Sequence, residues 1–265
     1  MARIQRPAQP ASRSWDPVAG WYAGWAGKEG SEHHRRLAIP AVLELLEPVT
    51  GNSILDVGCG PGALAPHVAG TGARYTGIDA SRKLLAIARR HHGVHGEFVL
   101  GDATRLAECR TLRAGSFDAV VFLLSIQDID PLDLAIRSAA WALRPGGRIA
   151  ILMTHPCFRV PRQSGWGWDP KRKLQYRRID RYLTPLAVPM KRYGGSRSGA
   201  TRSYHRPLMD YVNGLAGAGI VVDRLSELPT YRVGSTVGTG WGAQSADSEI
   251  PLFLGMRGIC QRSRR

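Results

Sequence analysis

The residues best suited to chemistry gather in one short stretch, Ile54-Leu55-Asp56-Val57-Gly58-Cys59-Gly60-Pro61-Gly62, where an apolar run passes into a turn with glycine at every second position. Glycines at 58, 60 and 62 let backbone amides approach a ligand with no side chain in the way. Read loosely, Gly58, Gly60 and Ala63 satisfy the dinucleotide pattern G-x-G-x-x-[GA], and an acid, Asp79, follows about twenty residues on. Two details oppose that reading. Asp56 would hold a carboxylate near the pyrophosphate, and Pro61 removes a backbone donor from the same turn. A ligand carrying positive charge suits this turn better.

The elements that must position these groups alternate regularly. Ser31–Glu47 reads as an amphipathic helix with Ser31 as its cap, and Leu37, Val42, Leu45 and Leu46 fall near helical spacing. Strands are expected at Ser53–Val57, Tyr75–Ile78, Glu97–Leu100, Phe117–Leu124 and Arg148–Met153. Helices are expected at Gly62–Ala69, from a Ser81 cap through Arg90, and at Pro131–Leu143, the last ended by the turn Arg144-Pro145-Gly146-Gly147. The pattern breaks at His155 for about fifty residues, then resumes with a helix at Pro207–Leu215 and strands at Ile220–Leu225 and Ile250–Met256. Repeated strand–helix units of this length predict an α/β fold. It is a Rossmann-like, doubly wound, mostly parallel seven-stranded sheet with helices on both faces. A structureless loop of fifty residues is improbable inside such a domain, so 155–205 is expected to be a β-rich insertion, placed beside the strand ends as a substrate lid. The organisation is therefore a tail and covering segment over 1–30, a ligand-binding core over 31–154, the lid over 155–205, and completion of the sheet over 206–265. The first dozen residues are expected to be disordered.

Leu55-Asp56-Val57-Gly58-Cys59-Gly60-Pro61-Gly62 resembles the first motif of class I S-adenosylmethionine-dependent methyltransferases. Gly77-Ile78-Asp79-Ala80-Ser81 resembles the second, Gly101-Asp102-Ala103 the third, and Leu143-Arg144-Pro145-Gly146-Gly147-Arg148 the turn before the fifth strand. The resemblance covers residues 31–154, and more loosely 206–258. It implies that Asp79 accepts hydrogen bonds from both ribose hydroxyls, with Ala80 beside it. Asp102 would take the adenine amino group and Ala103 would offer its amide to the ring. Leu124 would line the methionine end, with Gly58, Gly60 and Gly62 forming the cradle. The cofactor so implied is S-adenosyl-L-methionine, and the product S-adenosyl-L-homocysteine. The chemistry agrees, because a sulfonium, an ammonium, two hydroxyls and an exocyclic amine all want acceptors, and Asp56, Asp79 and Asp102 supply them. In similar enzymes the segment before the first helix folds over the cofactor, which singles out Tyr22 among Trp21, Tyr22 and Trp25 for a cation–π contact with the sulfonium. His34, Arg35 and Arg36 are candidates for its carboxylate. Cys59 reads as a small structural residue.

Methyl transfer chiefly requires positioning, exclusion of water and removal of one proton. The fourth strand ends Leu124-Ser125-Ile126-Gln127-Asp128, without the (Asp/Asn)-Pro-Pro-(Tyr/Phe) signature of enzymes acting on base amines of nucleic acids. Gln127 and Asp128 are candidates to face the acceptor, while Asp130, directly before Pro131, reads as a helix cap. His155, just after the fifth strand, is the first choice for general base, and His205 the second. Trp166, Trp168 and Tyr204 are candidate substrate contacts. His91, His92 and His95 lie at a helix end beside Arg89 and Arg90 with no acidic partner, so they read as solvent-exposed and no metal site is expected.

The 265 residues are 43% hydrophobic and 22% charged, which excludes overall disorder, collagen and coiled coil. No apolar run reaches membrane-helix length, and Met1–Ser14 lacks a secretory apolar core, so a cytoplasmic location without membrane attachment is expected. The four cysteines are scattered and expected to be reduced. Of the net charge of +15, residues 151–265 carry +12, and His155–Arg206 alone +11. Two acceptor classes follow. One is a small molecule, anionic or aromatic, methylated on oxygen or nitrogen beneath the lid. A composition rich in Arg, Ala and Gly suits a GC-rich bacterium, where secondary metabolism commonly houses such enzymes. The other is RNA, with Arg159, Arg162, Arg172, Arg177, Arg178 and Arg181 holding phosphates. The RNA reading needs those cations on one face, and no separate RNA-binding module is present in the sequence. The small molecule is the preferred reading. Homo-oligomer formation is compatible with either.

Overall fold

Strands that are apolar at nearly every position have no face to give to water, so they must sit inside a sheet covered on both sides. The computed structural model, which describes residues 15–189, 201–230 and 246–261, builds that sheet from β1 (Ser53–Val57), β2 (Arg74–Asp79), β3 (Glu97–Leu100), β4 (Phe117–Leu123), β5 (Leu143–Thr154), β10 (Ile220–Leu228) and β11 (Phe253–Cys260). The order is β10-β11-β5-β4-β1-β2-β3. β1 through β5 are mutually parallel and β11 runs antiparallel between β5 and β10. The chain winds outward from β1 in one direction through β2 and β3, and in the other through β4 and β5. The order therefore reverses between β1 and β4, the place in open α/β sheets where a crevice forms at the carboxyl ends.

Alternation along each strand divides the core. Leu55, Val57, Val120, Phe122, Ile149 and Ile151 point to one layer, with α5 (Leu132–Ala142) and α6 (Leu208–Gly217). Ile54, Val121, Ala150 and Leu152 point to the other, with α2 (Ile39–Leu46), α3 (Ala65–Ala69) and α4 (Arg82–His92). Each fully buried large side chain of this kind is worth about 1.5–3 kcal/mol of transfer free energy, and together they hold the strand ends rigidly. Ser81 caps α4 as expected, its hydroxyl accepting from Leu84 N at 3.1 Å.

Several boundaries differ from expectation for local reasons. The helix expected from Gly62 begins only at Ala65, because Gly62 is left-handed (φ +83°) and belongs to the turn. β5 begins at Leu143, so the Arg144–Gly147 turn is drawn into the strand. The last strand is Phe253–Cys260, starting later and running further than Ile250–Met256. The helix expected over Ser31–Glu47 contains a widened π turn, His34–Ala38, immediately before Pro40. Proline at that position has no N–H to give and its ring crowds the carbonyl four residues back, which the wider turn relieves. Asp130 does not cap α5. Residue 131 holds the cap position with no side-chain bond, and Asp130 pairs instead with Arg206 at 2.8 Å.

Between β5 and α6 the chain leaves the sheet. It forms one antiparallel hairpin of β6 (Ser164–Asp169) with β7 (Leu174–Ile179), and β8 (Leu186–Pro189) pairs with β9 (Arg202–His205). An N-terminal segment with α1 (Ala19–Ala26) packs against α4, and Asp16 Oδ1 ties it there by accepting from Ser81 Oγ and Lys83 N. The tail expected over the first dozen residues lies outside the described residues. No helix among the described residues is long and apolar enough to cross a membrane.

Candidate active site

The turn after β1 adopts a backbone that only glycine accepts comfortably. Gly58, Gly60 and Gly62 have φ of +74°, +54° and +83°, and a methyl group on Gly58 would stand 2.6 Å from Ser125 Cβ, while one on Gly62 would stand 2.8 Å from the Phe98 ring. Ser125 Oγ donates to Val57 O at 2.6 Å, locking the β4 exit onto the β1 exit. Above the turn lies a pocket of about 370 Å³ of empty space, part of it open to solvent, lined by Tyr22, Ala26, Gly30, His34, Asp56 and Leu123 together with the turn itself.

Two buried carboxylates stand at the turn on adjacent strands, and one of them, Asp56, lines this space. Asp79, at the end of β2, accepts from Gly60 N at 2.9 Å through Oδ2 and from Ser81 N at 2.8 Å through Oδ1. Burial raises its pKa, and the backbone N–H groups of Ser81 and Gly60 offset part of that rise. Asp56 accepts from the Tyr75 hydroxyl at 2.7 Å through Oδ2, while Oδ1 is buried with no partner. Burial pushes Asp56 up to about 7 against the Tyr75 hydrogen bond, and the Asp79 carboxylate adds to the rise. A buried oxygen left without a donor is costly and marks a place where a ligand donor belongs.

The covering wall is aromatic. Tyr22 stands over Gly60, with Trp15 and Trp25 around it at ring separations of 5.3 and 5.9 Å. Its phenol is pushed well above the usual range by burial and then by the carboxylates of Asp128, Asp79 and Asp56. His34, brought inward by the π turn, hydrogen-bonds Ser31 Oγ through Nδ1 at 2.8 Å, and burial holds it down at about 4, a neutral ring at physiological pH. The neighbouring cations do not join it. Arg35 donates to Gly30 O and Arg36 pairs with Glu32.

Of the other predicted positions, Ala80 follows Asp79 in the β2–α4 turn, and Ala103 packs against the core at the end of β3. Asp102 Oδ1 accepts from Thr104 N and Oγ1 at 2.8 and 2.7 Å. Leu124 has a left-handed backbone (φ +53°), a conformation costly for a branched residue and typical of sites where geometry is held for function. Gln127 Nε2 donates to Leu124 O at 2.7 Å and leaves Oε1 buried without a partner. Cys59 is buried behind the turn, with Sγ 2.8 Å from where a Gly77 Cβ would stand, and burial raises its pKa well above the ordinary thiol value, which leaves it a packing residue.

The histidine expectations fare differently. His155 is buried and does not line the pocket. Its Nδ1 accepts from Cys157 N at 3.2 Å, so Nε2 carries the proton and donates to Glu227 Oε1 at 2.9 Å. With both ring nitrogens committed, and burial lowering its pKa, this ring has no lone pair left for an acceptor proton. His205 Nε2 donates to Tyr182 O at 2.7 Å from within the fold. His92 is buried rather than exposed, its Nε2 donating to Lys28 O at 2.9 Å, which fastens the covering segment to α4. Among the described residues no group of His, Cys, Asp and Glu could hold a metal ion. Trp166 lies between two guanidiniums, Arg159 at 5.2 Å and Arg177 at 5.3 Å, and Trp168 points outward. Tyr204 lies under Arg206 at 5.0 Å.

Comparison with known proteins decides the class. A methyltransferase-domain family model matches residues 55–151, the span holding the turn, both buried carboxylates and β1 through most of β5. That span, a little over a third of the chain, matches a methyltransferase domain. The chain is similar to a ubiquinone biosynthesis O-methyltransferase of Bordetella avium, at 32% identity over 146 residues, 55% of this chain and 58% of that one. The chain thus spans under two thirds of the length of that relative. The fold is similar to that of an S-adenosylmethionine-dependent methyltransferase from Mesorhizobium loti, with a TM-score of 0.68 and 24% identity over 88% of this chain and all of the other. It is also similar to that of 1,6-didemethyltoxoflavin-N1-methyltransferase from Burkholderia thailandensis, solved with S-adenosylhomocysteine bound (TM-score 0.54, 14% identity, 98% and 95% coverage). The cofactor of such a domain, S-adenosylmethionine, suits the groups present. The unpaired Asp56 oxygen offers an acceptor to a cationic donor, and Gly58 and Gly62 have no room for Cβ atoms.

Two outcomes follow. Because the affinity-giving charge on Asp56 is present above about pH 7 and lost below it, binding of S-adenosylhomocysteine should weaken on going from pH 8 to pH 6, and Asp56→Asn should flatten that dependence in calorimetric titrations. His155→Ala should cost about 1–3 kcal/mol in urea unfolding, by stranding the Glu227 and Cys157 partners, yet leave methyl-transfer turnover within a few-fold of wild type.

Proposed function

We propose that this chain transfers a methyl group from S-adenosylmethionine to an oxygen, or less favourably a nitrogen, of a small molecule. The observation that carries the proposal is the pairing of Asp79, fixed by backbone amides, with the unpaired buried oxygen of Asp56 across a turn no side chain obstructs. In this reading Asp79 and Ala80 hold the ribose, Asp102 and Ala103 the adenine, and Asp56 the ammonium, over the cradle of Gly58, Gly60 and Gly62. Tyr22 and Leu124 bound the sulfonium end. When bound, the cofactor supplies an electrophilic methyl group next to a positive sulfur. The chain's own work is to orient the acceptor, exclude water and accept a proton. Tyr22 contributes a ring face, which favours a neighbouring cation. Oxygen is preferred as acceptor because the similar bacterial relatives are named O-methyltransferases. A role in secondary metabolism and a cytoplasmic setting go with the reading.

The insertion serves as a lid in this proposal, with Tyr204 at its inner edge. Among the described residues, several of its cations are taken up by partners within the fold. Arg177 turns inward, donating to Phe158 O and Ser164 Oγ, and Arg159 donates to Pro251 O and Ile250 O. Arg178, its neighbour on the other face of β7, pairs with Asp180. An RNA clamp would need these groups free and together.

The test is incubation of the full chain with methyl-labelled S-adenosylmethionine and bacterial extract, separated into small-molecule, RNA and protein fractions. Label in the small-molecule fraction is expected. Nuclease-sensitive label would overturn the acceptor class.

A further inference from the structure

The turn that leaves β4 carries a third carboxylate, Asp128, half-buried in the single helical turn Ile126–Asp128, and the cofactor groups described above leave it unused. Its Oδ1 is out of solvent contact with no hydrogen-bond partner, as is Oε1 of the preceding Gln127. These two acceptors sit on successive residues of one turn, and Arg206 Nη1 is likewise buried without a partner; unpaired buried groups of this kind mark a place for a ligand's polar atoms. Asp128 sits between the pocket and the insertion. On the pocket side, it is the strongest of the carboxylates acting on the Tyr22 phenol, ahead of Asp79 and Asp56. On the insertion side, the Ser203 hydroxyl of β9 donates to it, and the Arg206 guanidinium acts on it electrostatically.

Arg206 is itself buried and held in place. Its Nη2 donates to Ile129 O and Asp130 Oδ1, both at 2.8 Å, its guanidinium lies over the Tyr204 ring, and it hydrogen-bonds the Tyr211 side chain of α6. The charged and titratable groups around Asp128 are therefore Tyr22 from α1, Tyr204 and Arg206 beside β9, Asp130 from its own loop and Tyr211 from α6. These fixed contacts draw the insertion, the β4 exit and the pocket wall together at one carboxylate. His155 and His205, which sequence position favoured for proton transfer, have their Nε2 atoms committed elsewhere.

We infer that Asp128 is the catalytic proton acceptor for an acidic hydroxyl, with Gln127 Oε1 orienting that hydroxyl and Ser203 and Arg206 positioning the carboxylate. The inference rests on the methyl-transfer reading above. In the step, the acceptor's O–H bond breaks and its proton passes to Asp128 Oδ1. The oxygen's electron pair forms the new O–C bond, and the C–S pair stays on sulfur, which leaves as the neutral thioether. Asp128 then returns its proton to solvent. Burial, partly offset by Ser203 and Arg206, raises Asp128 to about 7, near the operating range for a base working on a phenol-like hydroxyl.

The experiment compares full-length wild type with Asp128→Asn, using two probes, 4-methylcatechol, which is protonated at neutral pH, and 3,5-dinitrocatechol, which arrives ionised. S-adenosylhomocysteine binding is measured for both proteins by calorimetry. Asp128→Asn is expected to keep that affinity within about threefold, which also shows that it is folded, and to lose about a hundredfold or more in kcat on 4-methylcatechol. The acid limb near pH 7 should vanish from its kcat/KM profile. On 3,5-dinitrocatechol the variant should stay within a few-fold of wild type, because an ionised acceptor needs no base. Undiminished turnover of 4-methylcatechol by the variant, an equal loss on both probes, or transfer to neither probe by wild type that binds S-adenosylhomocysteine would overturn the inference. Absence of S-adenosylhomocysteine binding to wild type would instead overturn the cofactor reading on which it stands.

Discussion

The structure depends on a turn whose first backbone N–H groups end on the tip of the neighbouring strand, one of them on its side-chain carboxylate. Gly60 N reaches Asp79 Oδ2, while Gly58 N and Cys59 N both reach Ile78 O, so the loop after β1 is hung from the end of β2. This is possible only because β1 and β2 are parallel and in register to their last residues, Val57 beside Ile78. It is also possible only because left-handed glycines let the chain fold back without side chains between it and the ligand space. The same carboxylate then accepts Ser81 N and starts α4. One acid thereby fixes the cradle, the strand end and the helix start, and the apolar core exists to keep those three in place.

Around that anchor three carboxylates gather, and among the described residues only Asp128 has a guanidinium, that of Arg206, acting on it. Asp56, Asp79 and Asp128 are all raised by burial, and each acts on the Tyr22 phenol. Burying three carboxylates in one region costs stability, since burial favours their neutral forms. A cationic ligand would offset that cost on arrival, which makes the pocket selective for positive charge over phosphates. The covering segment completes the enclosure through few contacts, Asp16 to the start of α4 and Lys28 O to His92 at its end.

Much of the sheet was legible because its signals are local. Apolar runs ending in Asp-x-Gly or Gly-x-Asp mark the carboxyl ends of β1 and β2, and Ser53–Val57 and Glu97–Leu100 fall where expected. What was not legible depends on partners far along the chain. The position of His155 after β5 was readable, but its role was not, because the ring is claimed by Glu227, 72 residues on. Asp130 had the sequence context of a helix cap, and Arg206, 76 residues away, takes its carboxylate instead. Arg206 and Arg177 read as members of a charge run, whereas each is held by carbonyls or rings inside the fold. His34 reached the pocket through a π turn that Pro40 imposes, a consequence visible only once the helix is seen to continue through the proline.

The central claim is that Asp79 and its cradle hold the ribose of an adenosyl cofactor. The most direct measurement is calorimetric titration of the full chain with S-adenosylhomocysteine and with its analogue lacking both ribose hydroxyls. The account predicts one site for S-adenosylhomocysteine and at least about a hundredfold weaker binding of the analogue, since each lost hydroxyl removes a hydrogen bond to a charged acceptor worth about 1.5–3 kcal/mol. Equal affinity for the two compounds, or no binding of either, would contradict it.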